Sequence, residues 1–165
     1  GDEAVLVTAK GQAIRFRESD VREMGRGAAG VRVMRLKKGD AIVGTGIISK
    51  KADKPARPDA SGHSGGPELL VIMEKGYGKK TPLKEYKVQK RGGSGIKTAK
   101  VTSKTGQLMA AHVVLSPDEE AVAISKKGQV IRTDVKEIAT IGRQTQGVRI
   151  MKLREGDSIA SLTCL

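Results

Sequence analysis

The chemistry that this sequence could support is concentrated in Gln89-Lys90-Arg91-Gly92-Gly93-Ser94-Gly95, followed by Ile96-Lys97. Two adjacent cations and three glycines within seven residues suit a loop that meets phosphate. Glycine lets the backbone approach an anion closely and frees amide N–H groups to point at it. Lys90, Arg91 and Lys97 can neutralise phosphate charge, and the Arg91 guanidinium can do so through two parallel hydrogen bonds. The residues alone also admit a plainer reading, a hairpin loop with solvated charges.

Little else in the chain points to catalysis. His63 and His112 are the only histidines and Cys164 the only cysteine. An internal disulfide is therefore excluded, a reducing compartment fits, and a His/Cys metal cluster within one chain is not expected. No Ser/His/Asp, Cys/His or paired-carboxylate arrangement stands out. Tyr77 and Tyr86 are expected to pack rather than act as nucleophiles, and Gly39-Asp40 and Gly156-Asp157 read as turn formers. The expectation is that this segment holds no catalytic, cofactor-binding or metal-binding residues.

The elements that must position the loop follow from internal repetition. An offset of 117 places Lys10-Gly11-Gln12 on Lys127-Gly128-Gln129, Arg15 on Arg132, Gly25-Arg26 on Gly142-Arg143 and Gly30-Val31-Arg32 on Gly147-Val148-Arg149. An offset of 65 gives a more diverged middle copy, with Lys10-Gly11 on Lys75-Gly76, Arg15 on Lys80, Asp20 on Glu85, Arg26 on Arg91 and Gly30 on Gly95. Arg26, Arg91 and Arg143 are thus equivalent. Arg15, Lys80 and Arg132 share another position, where contact with a polyanion and pairing with an acid inside each copy are equally open.

Each copy reads as short strands separated by turns. In the first, Val5–Val7 runs into a tight turn at Lys10-Gly11 and returns through Ile14–Phe16. A polar loop leads to a strand over Val31–Leu36, and Gly39-Asp40 turns the chain into Ile42–Ile48. About four antiparallel strands in roughly 45 residues is the size of a propeller blade. The predicted organisation is a blade over 1–48, a Pro-, Gly- and Ser-rich linker over 49–68, a blade carrying the Gly-rich loop over 69–115, and a last blade over 116–165, joined through the acidic Ser116–Glu120.

Lys and Arg number 31 against 18 Asp and Glu, a formal charge of +13, which points to a polyanionic partner. All three copies are basic, at +5, +8 and +4 over residues 4–48, 69–115 and 121–165. Aromatic residues are only 2%, too few to offer stacking platforms for single strands. No apolar run approaches the ~20 residues of a membrane span, and no signal peptide opens the chain, so a membrane is not an expected partner. The chain starts at Gly1-Asp2-Glu3 and runs directly into a strand, as a cut piece would.

Gln89–Gly95 resembles the Gln-basic-Arg-Gly-Gly-basic-Gly box of the DNA gyrase A subunit. The lead-in Gly76–Leu83 and Glu85-Tyr86, together with Arg15–Ser19 and Gly142–Arg149, also resemble repeats of that family's C-terminal domain. Ser94 departs from the pattern, standing where the box has a cation, and the box lies in the middle copy rather than the first. The chain is identified as resembling the bacterial gyrase and topoisomerase IV A-subunit family, with gyrase favoured.

The resemblance implies an all-β fold, a β-pinwheel of propeller-like blades that exchange strands, here three consecutive blades of a normally six-bladed domain. It implies wrapping of double-stranded DNA around a basic rim, in a parent enzyme that introduces negative supercoils with ATP. The implied contacts are Gln89, Lys90, Arg91, Gly92, Gly93, Ser94, Gly95 and Lys97, with Arg26, Arg143, Lys79, Lys80, Arg15, Arg132, Arg32 and Arg149. No cofactor is implied for this segment; ATP and Mg2+ belong to other domains. The implied partners are the rest of the gyrase A polypeptide, the B polypeptide that carries the ATPase and, through open blade edges, a second copy of the chain. The implied location is the bacterial cytoplasm, at the nucleoid. A topoisomerase IV domain steering substrate choice and a repeat scaffold for proteins are the alternatives.

Overall fold

A computed structural model describes residues 1–49 and 66–165. Most of the predicted linker, residues 50–65, lies outside the described residues; Glu68, placed in that linker, is the first residue of a strand. The described residues form eleven strands: β1 (Glu3–Thr8), β2 (Gln12–Arg17), β3 (Ile42–Ile48), β4 (Glu68–Met73), β5 (Tyr77–Pro82), β6 (Ile96–Lys97), β7 (Leu108–Val114), β8 (Glu120–Ser125), β9 (Val130–Asp134), β10 (Val148–Arg149) and β11 (Ile159–Cys164). The described residues hold no helix long and apolar enough to cross a membrane.

These strands form three antiparallel sheets, ordered β3-β1-β2-β6, β10-β5-β4-β7 and β11-β8-β9. In every unit the Lys-Gly turn closes a hairpin, with Leu6 opposite Ile14, Leu70 opposite Lys80 and Val122 opposite Arg132. A third strand then returns beside the first. The Gly-Asp turns close against the hairpins: Asp40 and Asp157 each accept from the backbone N–H of Lys10 and Lys127, at 2.9 and 3.0 Å.

The fourth strand of a sheet comes from the next unit. Ile96-Lys97 leaves the middle copy and pairs with Gln12-Ala13 of the first. Val148-Arg149 leaves the last copy and pairs with Tyr77-Gly78 of the middle one. This exchange defines a β-pinwheel. It corrects the expectation of a strand at Val31–Leu36: in the first copy that stretch is irregular, and no sheet among the described residues takes it in. The Met34 side chain still packs against Leu6, Ile14 and Phe16.

The core lies between the sheets. Leu69, Val71 and Met73 on one face of β4 pack with Val5, Val7 and Ile48 of the first sheet. Leu70 and Ile72 on the opposite face pack toward Ala121, Ala123 and Ile159 of the third. A strand buried on both faces must be apolar throughout, as Leu69–Met73 is. By contrast, β8 alternates Ala121, Ala123 and Ser125 inward with more exposed residues between them.

Candidate nucleic-acid interface

The exchanged strands put each Gly-rich loop on the unit before its own. Gln89 N–H donates to Arg15 O at 2.7 Å, Gly92 N–H to Val33 O at 2.7 Å, and Gly93 O accepts from Arg35 N–H at 2.8 Å. Gly95 turns the chain into β6 at φ +73°, and a Cβ there would meet Ala13 O at 2.4 Å. Gly147 makes the same approach one unit later, where a Cβ would meet Gly78 O at 2.6 Å. Only glycine permits such backbone contact.

Arg91 anchors this seat. Its Nε donates to Asp20 O at 2.7 Å and its Nη1 to Arg32 O at 3.0 Å. Arg143 repeats the device at the next junction. Its Nη1 donates to Lys97 O at 2.8 Å and its Nε lies 3.9 Å from the Glu85 carboxylate. Lys97 and Glu85 are the equivalents of Arg32 and Asp20. The repeat alignment pairs Asp20 with Glu85 without a role for either; Asp20 serves through its main-chain oxygen and Glu85 through its carboxylate. Arg26, the third member of the set, is exposed.

Three residues expected to touch DNA are corrected by burial. Lys79 is 0% exposed, Lys80 5% and Arg15 7%, so none has surface to offer a phosphate. Arg15 pairs with Glu3 at 2.5 Å and Lys80 with Glu68 at 3.0 Å. Arg132 makes the equivalent pair with Glu120. Of the two readings open for that position, pairing inside the blade is the one observed at all three sites. Arg132 alone keeps an exposed side chain, since no strand from a further unit flanks β9 among the described residues.

Lys79 occupies the position of Ile14 in the first copy. Its ammonium reaches the loop of the last copy, donating to Gly142 O and Arg143 O at 2.7 Å and to Thr145 Oγ1 at 3.0 Å. Burial lowers its pKa to about 8, with the Glu85 carboxylate opposing and Arg143 adding to the shift.

What faces solvent is a different set of cations. Lys90, Ser94, Lys97, Arg32 and Arg149 are exposed, while Gln89, Gly92, Gly93 and Gly95 are partly covered. Arg149 Nη2 donates to Tyr77 Oη at 3.1 Å, and its guanidinium carbon and Lys104 Nζ each lie 5.5 Å from the Tyr77 ring centre. The Arg149 hydrogen bond holds the Tyr77 phenol below its ordinary value. Tyr86 is buried, its hydroxyl 2.5 Å from Thr98 Oγ1, and burial raises its pKa. Lys87 and Lys100, also exposed, flank the loop and were not singled out from the sequence; only the +8 balance of the middle copy marked them.

These features define a repeat protein of propeller type, with sheets locked by strand exchange and a cationic loop at each junction. A family model described as "DNA gyrase C-terminal domain, beta-propeller" matches residues 2–49, 67–114 and 119–165. The chain belongs to that family. The DNA gyrase A protein of Staphylococcus epidermidis (strain ATCC 12228 / FDA PCI 1200) is 38% identical over 163 residues, covering 98% of this chain and 17% of that protein. The chain therefore spans about a sixth of that relative's length. A solved gyrase A C-terminal domain superposes with TM-score 0.82 at 30% identity, covering 99% of this chain and 50% of its own. The C-terminal domain of a topoisomerase IV shares the fold, with TM-score 0.85 at 24% identity, covering 99% and 46%.

Proposed function

We propose that this chain binds duplex DNA and bends it around a basic outer rim, as the C-terminal part of a bacterial, cytoplasmic type IIA topoisomerase of the gyrase A kind, which introduces negative supercoils. The observation that carries this reading is the repeated junction. Arg91 and Arg143 turn inward, and each gives its Nη1 to the equivalent main-chain carbonyl, of Arg32 and of Lys97. The exposed cations Lys97 and Arg149 then occupy equivalent positions on successive sheets. Strand passage and ATP hydrolysis belong to the rest of the parent enzyme and its ATPase partner.

Smooth bending of a 20–30 bp site by 40–90° costs of order 1–6 kcal/mol, which phosphate contacts along the rim must offset. Such binding tolerates sequence and weakens with salt, by about 0.9 in log affinity per unit log salt for each phosphate neutralised. Binding of linear duplex should therefore weaken linearly on a log–log salt plot, and Lys90→Ala with Lys97→Ala should flatten that slope. Affinity indifferent to salt would sink the proposal. Supercoiling of relaxed plasmid by the reconstituted parent enzyme separates a gyrase from a topoisomerase IV.

A further inference from the structure

Folding brings together three ligand types that the sequence keeps apart. His112 projects from β7 of the second sheet, Glu119 from the turn before β8, and Cys164 from β11 of the third sheet. Their ligand atoms all lie within 4.8 Å of one another, and His112 Nε2 is 3.7 Å from Glu119 Oε2. In a tetrahedral zinc site, with metal–ligand bonds of 2.0–2.3 Å, neighbouring ligand atoms stand about 3.3–3.6 Å apart. The widest pair must therefore draw in by no more than about 1.5 Å to close on one ion, a distance that side-chain rotation of His112 and Cys164 covers.

The surroundings suit that role. Glu119 Oε1 accepts from Leu115 N–H at 2.8 Å and from Ser116 N–H at 3.0 Å, which fixes the carboxylate and leaves Oε2 directed at the imidazole. Outer hydrogen bonds of this kind orient metal-binding carboxylates. Cys164 is held by pairing of β11 with β8, opposite Ala121. The side chains of His112 and Glu119 are 42% and 20% exposed, enough to admit an ion and a water as fourth ligand. A histidine–carboxylate ion pair would account for two of the groups but not for the adjacent sulfur. Nitrogen, oxygen and sulfur donors together suit a borderline-soft cation and exclude Mg2+ and Ca2+ as preferred occupants.

We propose that His112, Glu119 and Cys164 form a zinc site that clips the second sheet to the third. On coordination the Cys164 S–H bond breaks, its proton passes to solvent, and the thiolate binds the ion; no electron is transferred. The test uses the whole chain freed of metal and titrated with Zn2+ against a chromophoric competitor. One ion per chain is expected, with a rise in melting temperature. Cys164→Ser and His112→Ala should each weaken binding by more than about tenfold while keeping the parent's melting temperature in chelator. His63→Ala, which removes the other histidine of the chain, should change nothing. With Co2+ in place of Zn2+, a thiolate-to-cobalt charge-transfer band should appear and vanish in Cys164→Ser. Fewer than one ion per chain, or undiminished binding by Cys164→Ser, would overturn the site. If Cys164→Ser fails to fold, absence of the cobalt band in the parent chain overturns it equally.

Discussion

Arg91 and Lys90 are adjacent in sequence and opposite in role. Arg91 commits Nε and Nη1 to the carbonyls of Asp20 and Arg32, whereas the Lys90 side chain faces solvent. Charge-assisted bonds of this kind contribute about 1.5–3 kcal/mol when buried, and less at this half-covered junction. Arg91→Ala should therefore lower unfolding free energy by about 1–2 kcal/mol in urea melts, and Lys90→Ala should leave it unchanged while weakening DNA binding. Lys79 gives a residue-level prediction in pH. Its folded pKa, about 8, lies below its ordinary 10.5, so the unfolded chain binds more protons between those values. The contribution of Lys79 to stability then rises with pH across that window and is flat on either side. Lys79→Met should fold, since Ile14 fills the equivalent position. Relative to it, the parent chain should gain roughly 2–3 kcal/mol between pH 8 and 10.5, read from unfolding at both ends of the range.

At the scale of elements, the junction depends on close backbone approach. Gly95 and Gly30 share a position and a positive φ, +73° and +81°. A Cβ at Gly95 would strike Ala13 O, while one at Gly30 meets nothing within 4 Å. Alanine at either site incurs the left-handed penalty, about 1–2 kcal/mol. The excess loss in Gly95→Ala over Gly30→Ala, in denaturant midpoints, isolates the inter-unit contact; equal losses would mean that the junction yields easily. Much of this architecture was legible in the sequence. The Lys-Gly turns, the hairpins they close and the return strand at Ile42–Ile48 follow from turn chemistry and apolar runs. The destination of Ile96-Lys97 was not legible, because two residues of alternating character do not say which sheet edge they join. Nor were the buried Arg15, Lys79 and Lys80: charged side chains read as exposed until their acidic or carbonyl partners are placed. The Gly-rich loop was found from its composition, but its inward arginine was not separable from its outward lysine.

The whole molecule has unequal ends. Among the described residues the third sheet has three strands, and the edge of β9 that none of them pairs carries Val130, 63% exposed. At the other end, the loop around Arg26 and Gly30 has no preceding unit on which to sit among the described residues. An unpaired edge invites association. Sedimentation at several concentrations should show a mass that rises with concentration, and Val130→Lys should suppress the rise; a single mass throughout would reject it.

Strand exchange also sets where the chain divides as a physical object. A cut between sequence copies does not fall between sheets, for residues 3–48 make three strands of a sheet whose fourth begins at Ile96. The sheet is out of phase with the repeat by the length of one loop and one short strand. A force drawn along the chain would peel β6 from its host before it opened the hairpin of the middle unit, so the first rupture at each junction would release the cationic loop and leave the sheets largely standing.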